Sequence, residues 1–204
     1  MLRWMGSVPL SMGLAGPVSK GLLLDNRRER FPQRRRLGGP DGLTQYVFDS
    51  HSAIRYRFPT HTNDLIMDRR DAAASEAFFV ILEPGEAPPL HVHEDAEQVF
   101  YILEGEGRMS VGREAPETVE LRVGNFVRTP PGTPHAVLNT GTTRFVYLSI
   151  DCFTAGPPPA EPTWDSHVRA MCAEHGWDFD AVRLGPVDPD VGPRPDGAAP
   201  ARER

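Results

Sequence analysis

GEAPPLHVHEDAEQVFYILEG, residues 85–105, sets two histidines one residue apart just ahead of an apolar, aromatic run. Side chains i and i+2 of a strand share a face. His91 and His93 are therefore expected to point at one interior position. A second stretch, GNFVRTPPGTPHAVLN, residues 124–139, turns sharply at Pro130-Pro131-Gly132 and opens a new strand on His135. Imidazole is the commonest protein ligand for borderline transition metals. Three imidazoles arriving from two separate segments have the pattern of a metal centre. The strand that follows His93 begins with Glu97 and Gln98, and either can supply a fourth donor.

Outward from these stretches the chain reads as strand after strand. Short runs at 44–48, 53–58, 64–68, 77–82, 99–103, 108–111, 119–123, 125–129, 136–138 and 144–150 are rich in branched and aromatic residues. Pro84-Gly85, Gly105-Glu106-Gly107 and Asn139-Thr140-Gly141 punctuate them. Strands at such spacing predict a sandwich or barrel, and there is no repeat and no alternation with helices. One helix is expected over 163–175, because Trp164, Val168, Met171, Cys172 and His175 fall on one helical face. Thr163 or Asp165 can cap its start and Gly176 its end. Trp177 and Phe179 are expected to pack back on the strands.

Composition sets the limits. The 204 residues hold 19 Gly and 21 Pro, which suits many turns and flexible ends. Residues 1–40 read as a flexible leader and 185–204 as a disordered tail, leaving one domain over 41–184. A net charge of -6 argues against a nucleic-acid partner, and the six arginines between Arg27 and Arg36 sit in the leader. The two cysteines, Cys152 and Cys172, form no disulfide framework. The first sixteen residues are broken by Gly and Pro, too much so for a signal peptide. A cytoplasmic location without membrane attachment is the expectation.

The two histidine stretches resemble the paired signature motifs of the cupin superfamily. The second matches at every fixed position: Gly124, Pro130, Gly132, His135 and Asn139. The first matches at Gly85, His91, His93 and Gly105. Each fixed position would match by chance about one time in twenty, so nine in order are no accident. The resemblance covers about residues 75–151 and implies an all-β, cupin-type jelly-roll β-barrel carrying a short C-terminal helix between disordered tails. It departs from the family at the fourth ligand: counting back from Gly105 puts Gln98 where the family usually has Glu, while a shorter spacing from His93 would choose Glu97.

What the resemblance implies is one divalent transition metal (Fe, Mn, Ni, Zn, Cu or Co) on His91, His93, His135 and Gln98, with Glu97 as the alternative. It also implies a small organic substrate. Dioxygenase or cyclase/isomerase chemistry is the leading expectation, and a metal-containing binding protein or sensor without turnover is the alternative. The residues that would do the chemistry are not identified. Phe100, Ile102, Arg128 and Tyr147 are candidates for the substrate cavity. If Gln98 faces inward, Phe100 and Ile102 do too, and Val99, Tyr101 and Leu103 face another layer. His51 and His61 read as surface or turn residues, and His167 and His175 as packing or capping residues. A homodimer is expected, with the early strands covering an edge of the partner barrel.

Overall fold

A computed structural model describes residues 45–187. The strands are β1 (Ile54–Arg57), β2 (Thr62–Met67), β3 (Ser75–Leu82), β4 (Ala96–Glu104), β5 (Glu106–Val111), β6 (Glu117–Arg122), β7 (Phe126–Thr129), β8 (His135–Asn139), β9 (Phe145–Phe153) and β10 (Arg183–Pro186). They form an antiparallel seven-stranded sheet in the order β10-β1-β2-β3-β9-β4-β7 and a three-stranded sheet in the order β6-β5-β8. One apolar core lies between them, with Phe100, Ile102, Phe145 and Tyr147 from the first sheet meeting Met109, Leu121 and Val137 from the second. This is the all-β jelly-roll architecture the sequence calls for.

Alternation is why these segments are strands. In β3 every second residue is buried: Glu76, Phe78, Val80 and Leu82. In β4 the buried set is Ala96, Gln98, Phe100 and Ile102. Each large apolar side chain so buried contributes about 1.5–3 kcal/mol relative to exposure. Val99, Tyr101 and Leu103 lie on the opposite face of β4, but no second layer of the described residues seals it: Tyr101 is 44% and Leu103 38% exposed.

Gly105 makes the tight turn from β4 to β5 at φ +72°, and a Cβ there would stand 2.5 Å from the Arg144 carbonyl oxygen. Only glycine tolerates both conditions. Asn139 closes the other motif: its amide donates to the Leu82 and Thr143 carbonyls at 2.8 Å each, and its oxygen accepts from the Gly141 amide at 2.9 Å.

Helix α1 (Trp164–His175) has Thr163 as its N-cap, in a capping box with Ser166, and Gly176 as its left-handed C-cap. It buries Trp164, Val168 and Cys172 against the core, with the Trp164 ring 4.5 Å from that of Phe78. A four-residue turn of helix, α2 (Phe179–Val182), follows, and Trp177 and Phe179 pack on the core.

Two expectations require correction. Residues 45–48 form no strand, because Tyr46 and Val47 remain 59% and 65% exposed with nothing to pack on. The tail read as starting at 185 begins in order: β10 pairs with β1, opposite Ile54 to Tyr56. Its Gly185 and Pro186 look like tail composition, but an edge strand needs hydrogen bonds on one side only and accepts proline. The early strands β1 and β2, expected to cover an edge of a partner barrel, pair within this chain's own sheet between β10 and β3. The flexible leader at 1–40 and the remainder of the tail from 188 onward lie outside the described residues.

Candidate metal centre

The segment 91–93 is not a regular strand. Pro88 and Pro89 precede it and lack ladder donors, and only a single bridge links His91 to His135. Backbone bonds nevertheless hold the segment in place. His91 and His135 exchange N–H···O bonds of 3.1 and 2.9 Å, and the Gly132 N–H donates to the His93 carbonyl at 2.8 Å. The turn at Pro130-Pro131-Gly132 thus clamps one motif onto the other. One ring nitrogen from each of His91, His93 and His135 lies within 4.8 Å of the other two.

The protons on two rings are assigned by their neighbours. Nδ1 of His91 lies 2.8 Å from the Pro89 carbonyl oxygen, and Nδ1 of His135 lies 2.9 Å from that of Thr133. A carbonyl can only accept, so each Nδ1 carries the hydrogen and each Nε2 keeps its lone pair. In both cases the carbonyl belongs to the residue two positions earlier, so the same local device orients both ligands. Burial, reinforced by the neighbouring imidazoles, pulls the pKa of His91, His93 and His135 down to about 4. All three are neutral near pH 7, as metal ligands must be.

Gln98 and Glu97 part ways. Gln98 is 4% exposed, and its Oε1 stands 2.9 Å from His135 Nε2. Glu97 faces outward and accepts from Arg128 Nε at 2.6 Å. His93 Nε2 is buried without a hydrogen-bond partner. An orphaned buried nitrogen, two aligned lone pairs and an amide oxygen form a donor set that fits a divalent transition metal.

The remaining candidates scatter. Phe100 floors the site, its ring 5.9 Å from that of His135. Ile102 and Tyr147 lie deeper, as cross-strand partners in the packed core. Arg128 is corrected: β7 turns Val127 and Thr129 inward, and Arg128 points outward to Glu97. His61 lies in the β1–β2 turn, where it is only 4% exposed and stacked on Phe58 at 4.5 Å. His51 is exposed, His167 pairs with Glu161, and His175 stacks on Trp177.

The sequence reading passed over a buried polar cluster beside the triad. Asp151 is the cross-strand neighbour of both Gln98 and Glu76, and all three are buried. Arg69, itself 3% exposed, donates to Glu76 through Nε at 2.6 Å and Nη2 at 2.8 Å. Burial raises the Asp151 carboxyl to about 6, against hydrogen bonding from Gln98 and then Glu76. It raises Glu76 to about 7, against its bond to Arg69. A signal was available: Glu76 is in phase with Phe78, Val80 and Leu82, and Asp151 with Phe145, Tyr147 and Ser149. A charge in the inward register of an apolar strand marks a polar interior.

Comparison with known proteins gives a consistent outline. Residues 78–151 match the family model described as the cupin domain. An uncharacterized protein of Methanocaldococcus jannaschii is 36% identical over 83 residues, 41% of this chain and 62% of its own length. An oxalate-binding protein of Thermotoga maritima is 35% identical over 69 residues, 34% of this chain and 54% of its own length. The chain thus spans less than two-thirds of either curated relative. Among solved structures, one described as a predicted oxalate decarboxylase from Thermotoga maritima is 23% identical with a TM-score of 0.47, covering 53% of this chain and 99% of that one. A double-stranded β-helix protein of Klebsiella pneumoniae is 20% identical with a TM-score of 0.46, covering 54% and 92%.

Proposed function

We propose, from the match of residues 78–151 to the cupin-domain model, a metal-dependent enzyme acting on a small organic molecule. One divalent metal sits on His91, His93 and His135, with the Gln98 amide oxygen as fourth donor. One observation carries this reading. His135 Nε2 and Gln98 Oε1 face each other at 2.9 Å, and both are acceptors because the His135 hydrogen is committed to Thr133. Two lone pairs at that distance repel unless a cation lies against them both. A proton is disfavoured there, since burial holds His135 at about 4.

Such a metal supplies Lewis acidity at a bound oxygen, which suits isomerase, cyclase or, with iron, dioxygenase chemistry. Four neutral donors leave its full charge uncompensated by the protein, which favours an anionic substrate. Phe100 excludes water from the inner side. The test is elemental analysis of the purified protein, then turnover of small organic acids with and without oxygen. Less than about a tenth of an equivalent of metal, even after loading, overturns the reading.

The likeness to an oxalate-binding protein over 69 residues favours a second reading, metal-dependent binding without turnover. Calorimetry that detects oxalate binding to the metal-loaded protein, while product assays stay flat, would select it.

The expected homodimer gains a different surface. Phe79, Leu148, Tyr101 and Phe126 lie side by side across four strands on the outer face of the larger sheet, and Phe126 is 70% exposed. Arg128 and Glu97 beside this row neutralise each other, so a second copy of the same face brings no unpaired charge. Sedimentation as a monomer at tens of micromolar would overturn this.

A further inference from the structure

Gln98 has a carboxamide whose two ends are not interchangeable. Its oxygen is useful to a metal and its NH2 group is not. Something must decide which end faces the histidines. On one side of Gln98 stands His135 Nε2, a bare acceptor that would welcome the NH2 group. On the other side stands Asp151, its partner across the β4–β9 ladder, 3% exposed. A carboxylate there takes the NH2 group more strongly than an imidazole does, since hydrogen bonds to charged acceptors are about twice as strong.

We propose that Asp151 is the positioning residue of the site, holding the Gln98 NH2 group so that the amide oxygen is presented to His91, His93 and His135. This rests on the metal-centre reading above and adds the element that makes a glutamine serviceable as fourth donor. Asp151 Oδ1 is buried and has no other hydrogen-bond partner among the described residues, so it is available to the NH2 group of its cross-strand neighbour Gln98. Glu76, the cross-strand neighbour of Asp151 on its other side, is fixed by the double hydrogen bond from Arg69. A carboxyl is therefore present beside the site but one strand over from the donor position. A glutamate at 98 would face Asp151 and Glu76 across the ladder and add a third buried acid to a cluster with one arginine.

The experiment uses the full chain loaded with Co(II), read by visible absorption and by competition with a chelator. Asp151→Leu removes the acceptor at similar volume. It should weaken Co(II) binding about tenfold or more, the usual scale for an outer-shell partner. It should also give the absorption spectrum of Gln98→Ala. Asp151→Asn is the rescue: its NH2 group can donate to Glu76 and its oxygen can accept from Gln98, so spectrum and affinity should stay near those of the parent. A folded Asp151→Leu protein with parental spectrum and affinity overturns the proposal. If instead His135→Ala leaves Co(II) binding intact, the metal-centre reading itself fails and the positioning role with it.

Should Asp151→Leu not fold, the metal-free parent still decides. The Gln98 side-chain NH2 resonances, assigned by their loss in Gln98→Ala, should show nuclear Overhauser contacts to the Asp151 β protons. Contacts to the His135 ring instead would mean the amide faces the other way, and the proposal would be wrong.

Discussion

The triad and the β1–β2 turn each bury a histidine, and the two are opposite in kind. His135 is 1% exposed with Nε2 aimed at a second acceptor. His61 is 4% exposed, stacked on Phe58, with Nδ1 2.9 Å from the Thr60 hydroxyl. A hydroxyl can donate or accept, so the His61 contact is satisfied as it stands. The His135 contact is not. Burial alone therefore does not mark a site. What marks it is an arrangement of acceptors that no proton of the protein completes.

The comparison breaks most visibly on metal. His135→Ala should lower bound metal by an order of magnitude or more in elemental analysis, while His61→Phe should retain it. With free metal at a thousand times its dissociation constant, the parent should gain about 4 kcal/mol in unfolding free energy and His135→Ala far less. Equal metal content in the two variants would erase the distinction.

Acid should separate them next. Burial depresses the His61 pKa to about 3 in the folded chain, against about 6.5 unfolded. A depressed folded value means that stability is intact above pH 6.5 and is lost as the pH falls toward 3. Replacing His61 by Phe removes this loss and leaves the triad's own. In chelator, the parent should therefore lose about 2 kcal/mol more than His61→Phe between pH 7 and 4.5, measured by urea unfolding. Parallel pH profiles would show that His61 is not buried as a neutral ring.

The smallest effect concerns the neighbouring pair on β4. Glu97→Ala breaks only a surface ion pair with Arg128 and should cost under about 1 kcal/mol, with metal content unchanged. Gln98→Ala should reduce metal affinity clearly. If Glu97→Ala alone lost metal, the register of β4 would be shifted by one residue.

Much of this was legible in the chain. The spacing of Gly85, His91, His93, Gly105, Gly124, Pro130, Gly132, His135 and Asn139 is local information, because each turn glycine and each inward residue is set by its own few neighbours. Strand periodicity likewise placed β3, β4 and β9, and the caps Thr163 and Gly176 placed α1. Between Glu97 and Gln98 the sequence left two apolar registers, and only the packing of β4 between β9 and β7 put Gln98 inside and Arg128 outside. The burial of His61, the edge strand β10 and the meeting of Arg69, Glu76 and Asp151 were decided by tertiary structure. Their partners lie far apart in the chain: β10 pairs with residues some 130 positions earlier, and Asp151 meets Glu76 only across a strand ladder. A pattern of two or of three-and-a-half residues reports which face a side chain takes, but not which distant side chain waits there.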